Sequence, residues 1–451
     1  MRRARYKILL LGLVSLLSGL ALSACSNVQE LATATPSPTA LKAELTVWAW
    51  GQGLKGLQAN LPGFSHTYPN VKVNLVEVPN PEIYTKLDKG LQAGGVGLPD
   101  VIEIETERLE YYTGKYLEAF TNIKSWATQY EGQFNALQWT AVQRIGRFRA
   151  VPWYAGPAGL FYRADLFAKA GIDPSSIQTW DDFIKAGPKF KAANPGVKML
   201  TIDLTEDTLF RAMLYQQNAG YYTQDMRINF MSPEGIRAMN VITELAQAGL
   251  LYTVDGKGGV IPALGADLGA SYVAGADWAG ALEDDAPKMA GKWDVMPLPA
   301  FGPEGSRTAN IGGSALAALR TGKQQDAALA FIEYCLTSKD NQNLMLKEAG
   351  VLPAFLPAYS DAFYNLPQPY FNNQPIWQFF ASEARELKPT FYNVEFPDAA
   401  QAILIGQRLA VTKLETMPAL QQAANELRDK TAREIFKPGD PTPTPTNKET
   451  K

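Results

Sequence analysis

AVPWYAGPAGLFYRADLFAKAGI, residues 150–172, decides how this chain is read. Pro152 excludes a helix where it stands, so Arg147 to Trp153 is extended. Gly156-Pro157 marks a turn. A further strand, Gly159 to Tyr162, follows it, and Asp165 then caps a short helix that Gly171 closes. The segment reads as a crossing, in which the chain leaves one folded unit extended and enters a second as a strand and a capped helix.

The totals leave room for two such units. The chain has 451 residues, 46% hydrophobic and 19% charged, which is ordinary for a globular protein. The net charge is −3, and with no basic stripe nucleic acid is not expected as a partner. One histidine, His66, and two cysteines, Cys25 and Cys335, leave too few ligands for a zinc, copper or haem site. No metal or cofactor is therefore expected. His66 reads as a surface residue, and Cys335 as a small buried hydrophobe in an apolar helix.

The first 24 residues read as a targeting segment. Arg2, Arg3, Arg5 and Lys7 precede the apolar run Ile8 to Ala21, which has signal-peptide length and is short for a spanning helix. Leu22-Ser23-Ala24-Cys25 resembles the bacterial lipobox, which is cut before a cysteine that then carries lipid. Cys25 is the expected lipidation site, on the outer face of the cytoplasmic membrane. Residues 25–43 contain TATPSPTA and read as an extended Thr/Pro linker. Residues 437–451 are a tail of the same kind.

Between linker and tail, strands and helices alternate. Leu45, Val47 and Ala49 share one face of a strand, and Thr46, Trp48 and Trp50 the other. Val71 to Val78 is a second strand, Asn80-Pro81 starts a helix as cap and first residue, and Val101 to Glu105 is a third strand. This order implies parallel pairing with right-handed crossovers. Ligands of such open sheets bind at the carboxyl ends of the strands, near Trp50-Gly51-Gln52 and Glu103 and Glu105. Ile123 to Trp139 is predicted helical, Thr179 to Asp182 resembles a capping box, and Trp180 and Trp293 read as packing residues. Ala399 to Lys430 is predicted helical with a break at Met417-Pro418.

In order, LTVWAWG, YTKLDKGLQAGGVGLPDVIEIE, VPWYAGPAGLFYRADLFAKAGID, QTWDDF, ADWAGAL, WDVMPLPAFGPEG, GGSALAAL and DAALAFIEYC together resemble an extracellular solute-binding protein of a bacterial ABC transporter. The group is the sugar-binding one that includes maltose, lactose and arabinose binders, and the likeness spans about Glu44 to Arg433. It implies an α/β, type II periplasmic-binding-protein-like fold: two lobes joined by hinge crossings with a ligand cleft between them. The N-terminal lobe would hold 44–150 and 313–357, and the C-terminal lobe 151–312 and 358–436. The crossings would lie near Arg149 to Pro157 and Thr308 to Ser314. The implied partners are a carbohydrate and the permease subunits, for a monomer tied to the membrane by its lipid alone.

A sugar presents C–H faces and hydroxyls, so its receptor needs aromatic plates and short polar groups. Trp50 is either a core ring or such a plate, and Gln52 in the glycine turn is a hydroxyl partner. The likeness places an acid at Glu105 in the crevice, with Arg108 beside it binding hydroxyls or pairing at the surface. Trp153 and Tyr154 stand at the first crossing, where their rings would face the ligand. Many relatives have aspartate where Tyr154 stands, so the sugar is not legible from them. Asp277 and Trp278 match a turn whose tryptophan stacks on sugar in relatives, and Gly312 would let backbone approach the ligand. Tyr392 and Glu395 occupy a stretch that reaches the cleft in relatives. Two alternatives remain open: a secreted glycoside hydrolase, with Glu103 or Glu105 paired to Asp277, and a binder of another polar solute.

Overall fold

The computed structural model describes residues 38–437 and 439–440. The expected leader, Cys25 and most of the linker lie outside the described residues, as does the tail from 441.

Three strands open the fold: β1 (Ala43–Ala49), β2 (Val71–Glu77) and β3 (Val101–Glu105). β1 pairs in parallel with both others, as the intervening helices α1 (Gly51–Thr67) and α2 (Glu82–Gln92) require. The alternation in β1 is real, with Leu45, Val47 and Ala49 fully buried. Asn80 does not cap α2. Its N-cap is Pro81 with no side-chain bond, because the Asn80 amide is drawn to Glu105. Ile123 to Trp139 is not one helix. It breaks into short turns at Lys124–Ala127 and Ala136–Ala141, and the Asn135 side chain caps the second by accepting from the Leu137 amide.

β4 runs unbroken from Val151 to Arg163, with all thirteen residues buried. The turn expected at Gly156-Pro157 is absent. Instead the strand changes partners there. Val151 to Pro157 pair with β9 (Asn310–Ala318). Ala158 to Tyr162 pair with β7 (Ser271–Gly275), and Leu160 to Arg163 with β8 (Trp293–Met296). β9 also pairs antiparallel with β3, so one seven-stranded sheet links the two ends of the molecule. A separate parallel pair, β5 (Leu200–Asp203) and β6 (Leu251–Val254), lies beyond it.

The pairing of β9 with β4 is irregular between Asn310 and Gly313. Gly312 and Gly313 have φ of 100° and 85°, values that favour glycine. A Cβ on Gly313 would stand 2.7 Å from the Tyr154 carbonyl oxygen. The glycine pair is what lets the second crossing strand shift register against the first.

Buried apolar side chains form one cluster around β1–β3 that runs through Trp153 and Tyr154 and resumes at Ala315. A second takes in Leu137 and then runs from Ala158 onward, with Ala309 and Ile311. The change-over thus falls inside the two crossing strands. A third cluster, with Ala155, Phe161, Trp293, Leu346 and Trp377, bridges the ends.

The second core is held by the helices α3 (Trp180–Ala193), α4 (Thr208–Gln216), α5 (Pro233–Gln247), α6 (Trp278–Asp285), α7 (Ile376–Glu386), α8 (Phe396–Lys413) and α9 (Thr416–Thr431), together with β5–β8, although α6 and α7 face the bridging cluster. The capping box at α3 forms: Thr179 accepts from the Asp182 amide, and Asp182 accepts from the Thr179 amide. Trp180 and Trp293 are core residues. The break expected at Met417-Pro418 falls earlier, at Leu414 in left-handed backbone. Pro418 sits in the first turn of α9, where a missing N–H costs nothing.

Candidate ligand-binding cleft

β3 delivers two glutamates to the crossing, and burial separates their roles. Glu103 is fully enclosed. Its Oε1 accepts the Tyr154 hydroxyl at 3.0 Å and the Ser314 hydroxyl at 2.9 Å, and its Oε2 accepts the Trp50 amide at 3.3 Å. The first turn of α1 lies against this carboxyl group. A Cβ at Gly53 would be 2.7 Å from Oε2, so only glycine leaves it room. Burial pushes the Glu103 carboxyl up to about 8, outweighing the hydrogen bonds from Ser314, Trp50 and Tyr154 that favour its ionised form.

Trp153 and Tyr154, expected as ligand plates, are corrected to core residues. Trp153 has 0% exposure. The edge of β4 at this point is closed by the segment 352–354: Ala155 N–H donates to Leu352, and Ala354 N–H donates to the Trp153 carbonyl, both at 2.9 Å. The ring of Tyr154 meets that of Trp153 edge-on at 5.4 Å, and its hydroxyl is spent on Glu103.

Glu105 sits at the open end of β3. It accepts from Asn80 at 2.8 Å, from the Tyr84 hydroxyl at 3.0 Å and from Arg108 Nε at 3.0 Å. The Arg108 guanidinium also lies 4.4 Å above the Tyr84 ring, and Trp50 meets that ring edge-on at 6.2 Å. Half-buried Trp50, Glu105 and Arg108 therefore form one patch at the carboxyl ends of β1 and β3, with Tyr84 as its floor.

From the other side of the crossing come Asp277 and half-buried Trp278, at the start of α6. Asp277 packs against the second crossing strand, since its Oδ1 is 3.6 Å from where a Cβ on Gly312 would stand. Trp278 rests on Phe161 at 4.9 Å, Tyr272 at 5.2 Å and Trp293 at 6.2 Å, a scaffold that fixes the ring plane. Tyr272 in turn borders a small recess with Thr201, Asp203, Glu206 and Thr208. Sequence reasoning missed these residues. Only their position at the ends of β5 and β7 and the start of α4 could have flagged them.

Two bridges join the sides. Gln52 Nε2 and Lys55 Nζ donate to Asp284 at 3.0 and 2.6 Å. Gln52 Oε1 is shut off from water and has no hydrogen-bond partner among the described residues. Deeper in, Arg211 on α4 pairs with Glu107 at 2.7 Å and Asp207 at 3.1 Å, all three nearly inaccessible. Glu107 and Arg211 are 104 positions apart, and no local pattern announces such a pair.

Tyr392 borders the Glu107–Arg211 bridge and Asn310 rather than the patch, and Glu395 sits at the start of α8. The buried ring of Tyr392 packs on Tyr215 and Phe396. Glu395 makes a two-pronged pair with Arg433 at 2.7 and 3.0 Å, which ties the chain end to α8. A cavity of about 670 Å³ near Tyr215, Asn310 and Phe391 contains none of the sequence-derived site residues. Much of its amide lining is already bonded internally, Gln216 to the Pro299 and Ser306 carbonyls and Asn310 to Gly312 and Gln138.

The profile of the bacterial extracellular solute-binding proteins matches residues 49–342. The lactose-binding protein of Rhizobium radiobacter is 27% identical over 369 residues, covering 79% of this chain and 86% of that protein. The arabinooligosaccharide-binding protein of Bacillus subtilis (strain 168) is 24% identical over 404 residues, covering 86% and 92%. Among solved structures, the ABC transporter associated binding protein from B. animalis subsp. lactis Bl-04 in complex with β-1,6-galactobiose is 26% identical. Its TM-score is 0.73, with 86% of this chain and 97% of that chain covered.

Proposed function

Because the chain belongs to the bacterial extracellular solute-binding protein family, we propose that it captures a mono- or oligosaccharide at the crossing and delivers it to an ABC permease. Its relatives' names, lactose-binding and arabinooligosaccharide-binding, support a sugar. The two lobes of this reading meet where β4 and β9 change partners. The reading also takes residues 1–24 as a removed leader and Cys25 as the lipid anchor of an exported monomer. No helix among the described residues is long and apolar enough to cross a membrane.

The observation that carries the site is the unpartnered Gln52 Oε1, beside the Trp50–Tyr84–Glu105–Arg108 patch and facing α6. An acceptor sealed from water without a donor costs about 1–3 kcal/mol, a cost relieved if the Gln52 side chain turns toward a ligand hydroxyl. Trp278 supplies the plate for a sugar face, and Asp277, Glu105 and Arg108 the hydroxyl partners, with Gly312 as the close backbone. No observation favours a hydrolase. Glu103 is fully enclosed and cannot reach a glycosidic bond.

The test is a thermal-shift panel of lactose, β-1,6-galactobiose and arabino-oligosaccharides, since binding raises apparent stability. At least one is expected to raise the midpoint. If none does at millimolar concentration, the sugar reading is rejected.

A further inference from the structure

Glu103 is fully enclosed, yet it touches the β1–α1 turn and both crossing strands. The Trp50 amide belongs to the β1–α1 turn, Tyr154 to the first crossing strand and Ser314 to the second. Gly53 admits the carboxyl group against the first turn of α1. One side chain thus fastens the ligand-facing turn to both strands on which the two sides of the cleft hang.

We propose that Glu103 is a positioning residue for ligand binding, and that its carboxyl group makes the grip pH-dependent. The inference rests on the sugar reading of the cleft given above. The charged groups that face the site are Glu105 on the same strand and, toward Tyr154, Asp277 from the start of α6. Both are acids. Arg108 is engaged by Glu105, and Lys55 by Asp284. Helix α1 carries no acid in its first turn. An ionised Glu103 would therefore sit dry, without a cation, among like charges, and these outweigh the three donors in favour of the neutral acid.

The sign follows from linkage. The clamped carboxyl titrates near 8, above the ordinary range near 4.5, so the clamped state holds a proton that a loosened, hydrated Glu103 releases. The clamp is fully favoured below about 4.5, weakens as pH rises toward 8, and is level above that. One linked proton gives a slope of up to about tenfold per pH unit.

The experiment measures two profiles between pH 5 and 9: affinity for whichever panel sugar gives the largest thermal shift, and the midpoint of the sugar-free protein. Wild type is expected to lose about tenfold or more in affinity between pH 5 and 8, with a falling midpoint. Glu103→Gln, neutral at every pH and able to keep all three partners with its amide oxygen on the Trp50 N–H and its amide nitrogen donating to the Tyr154 and Ser314 hydroxyls, is expected to flatten both. Parallel profiles for wild type and Glu103→Gln overturn the proposal. If no sugar binds, the sugar reading fails, and the sugar-free midpoints still decide the clamp by the same comparison. Should Glu103→Gln not fold, Ser314→Ala removes a donor that favours the ionised form and is expected to move the wild-type transition to higher pH. An unmoved transition overturns the proposal.

Discussion

A tryptophan can be a core residue or a ligand plate, and its neighbours decide which. Trp153 is sealed by strand 151–163 and the segment 352–354, whereas Trp278 keeps part of its ring in the open above Phe161, Tyr272 and Trp293. Trp278→Ala is expected to abolish most of the tryptophan-fluorescence response to sugar while leaving the thermal midpoint near wild type. An unaltered titration would remove Trp278 from the site. The buried ions give a second residue-scale prediction. Arg211→Ala leaves Glu107 and Asp207 buried with no cation between them and is expected to destabilise by about 3–5 kcal/mol in chemical denaturation. Glu107→Gln leaves Arg211 paired with Asp207 and is expected to cost clearly less. Equal losses would mean that the Arg211–Glu107 contact carries the whole effect and that Asp207 alone does not hold Arg211. Residue identity alone was a poor guide here. The placement of Glu105, Asp277 and Trp278 at the crossing was legible from type and position, but the enclosure of Trp153 and Tyr154 depended on a segment about 200 positions away.

Single elements were easier to read, because their signals are local. The Thr179–Asp182 box and the alternation of β1 are written in neighbouring residues, and each forms. Thr179→Ala is expected to cost about 1 kcal/mol, read as a shift of the denaturation midpoint at unchanged slope. The element that decides the fold was read less well. Gly156-Pro157 looked like a turn, but flanking strands on both sides hold it extended, and a proline is tolerated where β4 passes from one partner to the next. The helix predicted over Ile123 to Trp139 failed for a similar reason. Its apolar residues serve contacts in several directions, and tertiary packing overrode the periodicity. Gly313→Val tests the register shift in β9. The left-handed backbone and the Tyr154 carbonyl at 2.7 Å from the new Cβ predict a loss of several kcal/mol. A neutral outcome would show that the crossing tolerates a side chain there.

At the scale of the molecule, two cores share one sheet through two strands, and the space between them is spanned by the Lys55–Asp284 and Glu107–Arg211 bridges. The exposed pair contributes little to stability, so under the proposed two-lobed reading its effect would fall on the balance between open and closed arrangements. Asp284→Ala is expected to enlarge the radius of gyration of the sugar-free protein in solution scattering with little change in thermal midpoint. An identical scattering profile would deny it that role. The order of strands, helices and crossings was visible in the chain, and so was the family likeness. The bridges were not, because they join residues whose proximity exists only after both cores have formed.

The most direct test of sugar capture at this cleft is a calorimetric titration of wild type and of the double variant Gln52→Ala, Trp278→Ala with the panel sugars. Saturable, one-to-one binding of at least one sugar by wild type, weakened at least a hundredfold in the double variant, is the predicted result. Binding of equal strength in both proteins, or saturable binding of no sugar by wild type, would contradict it.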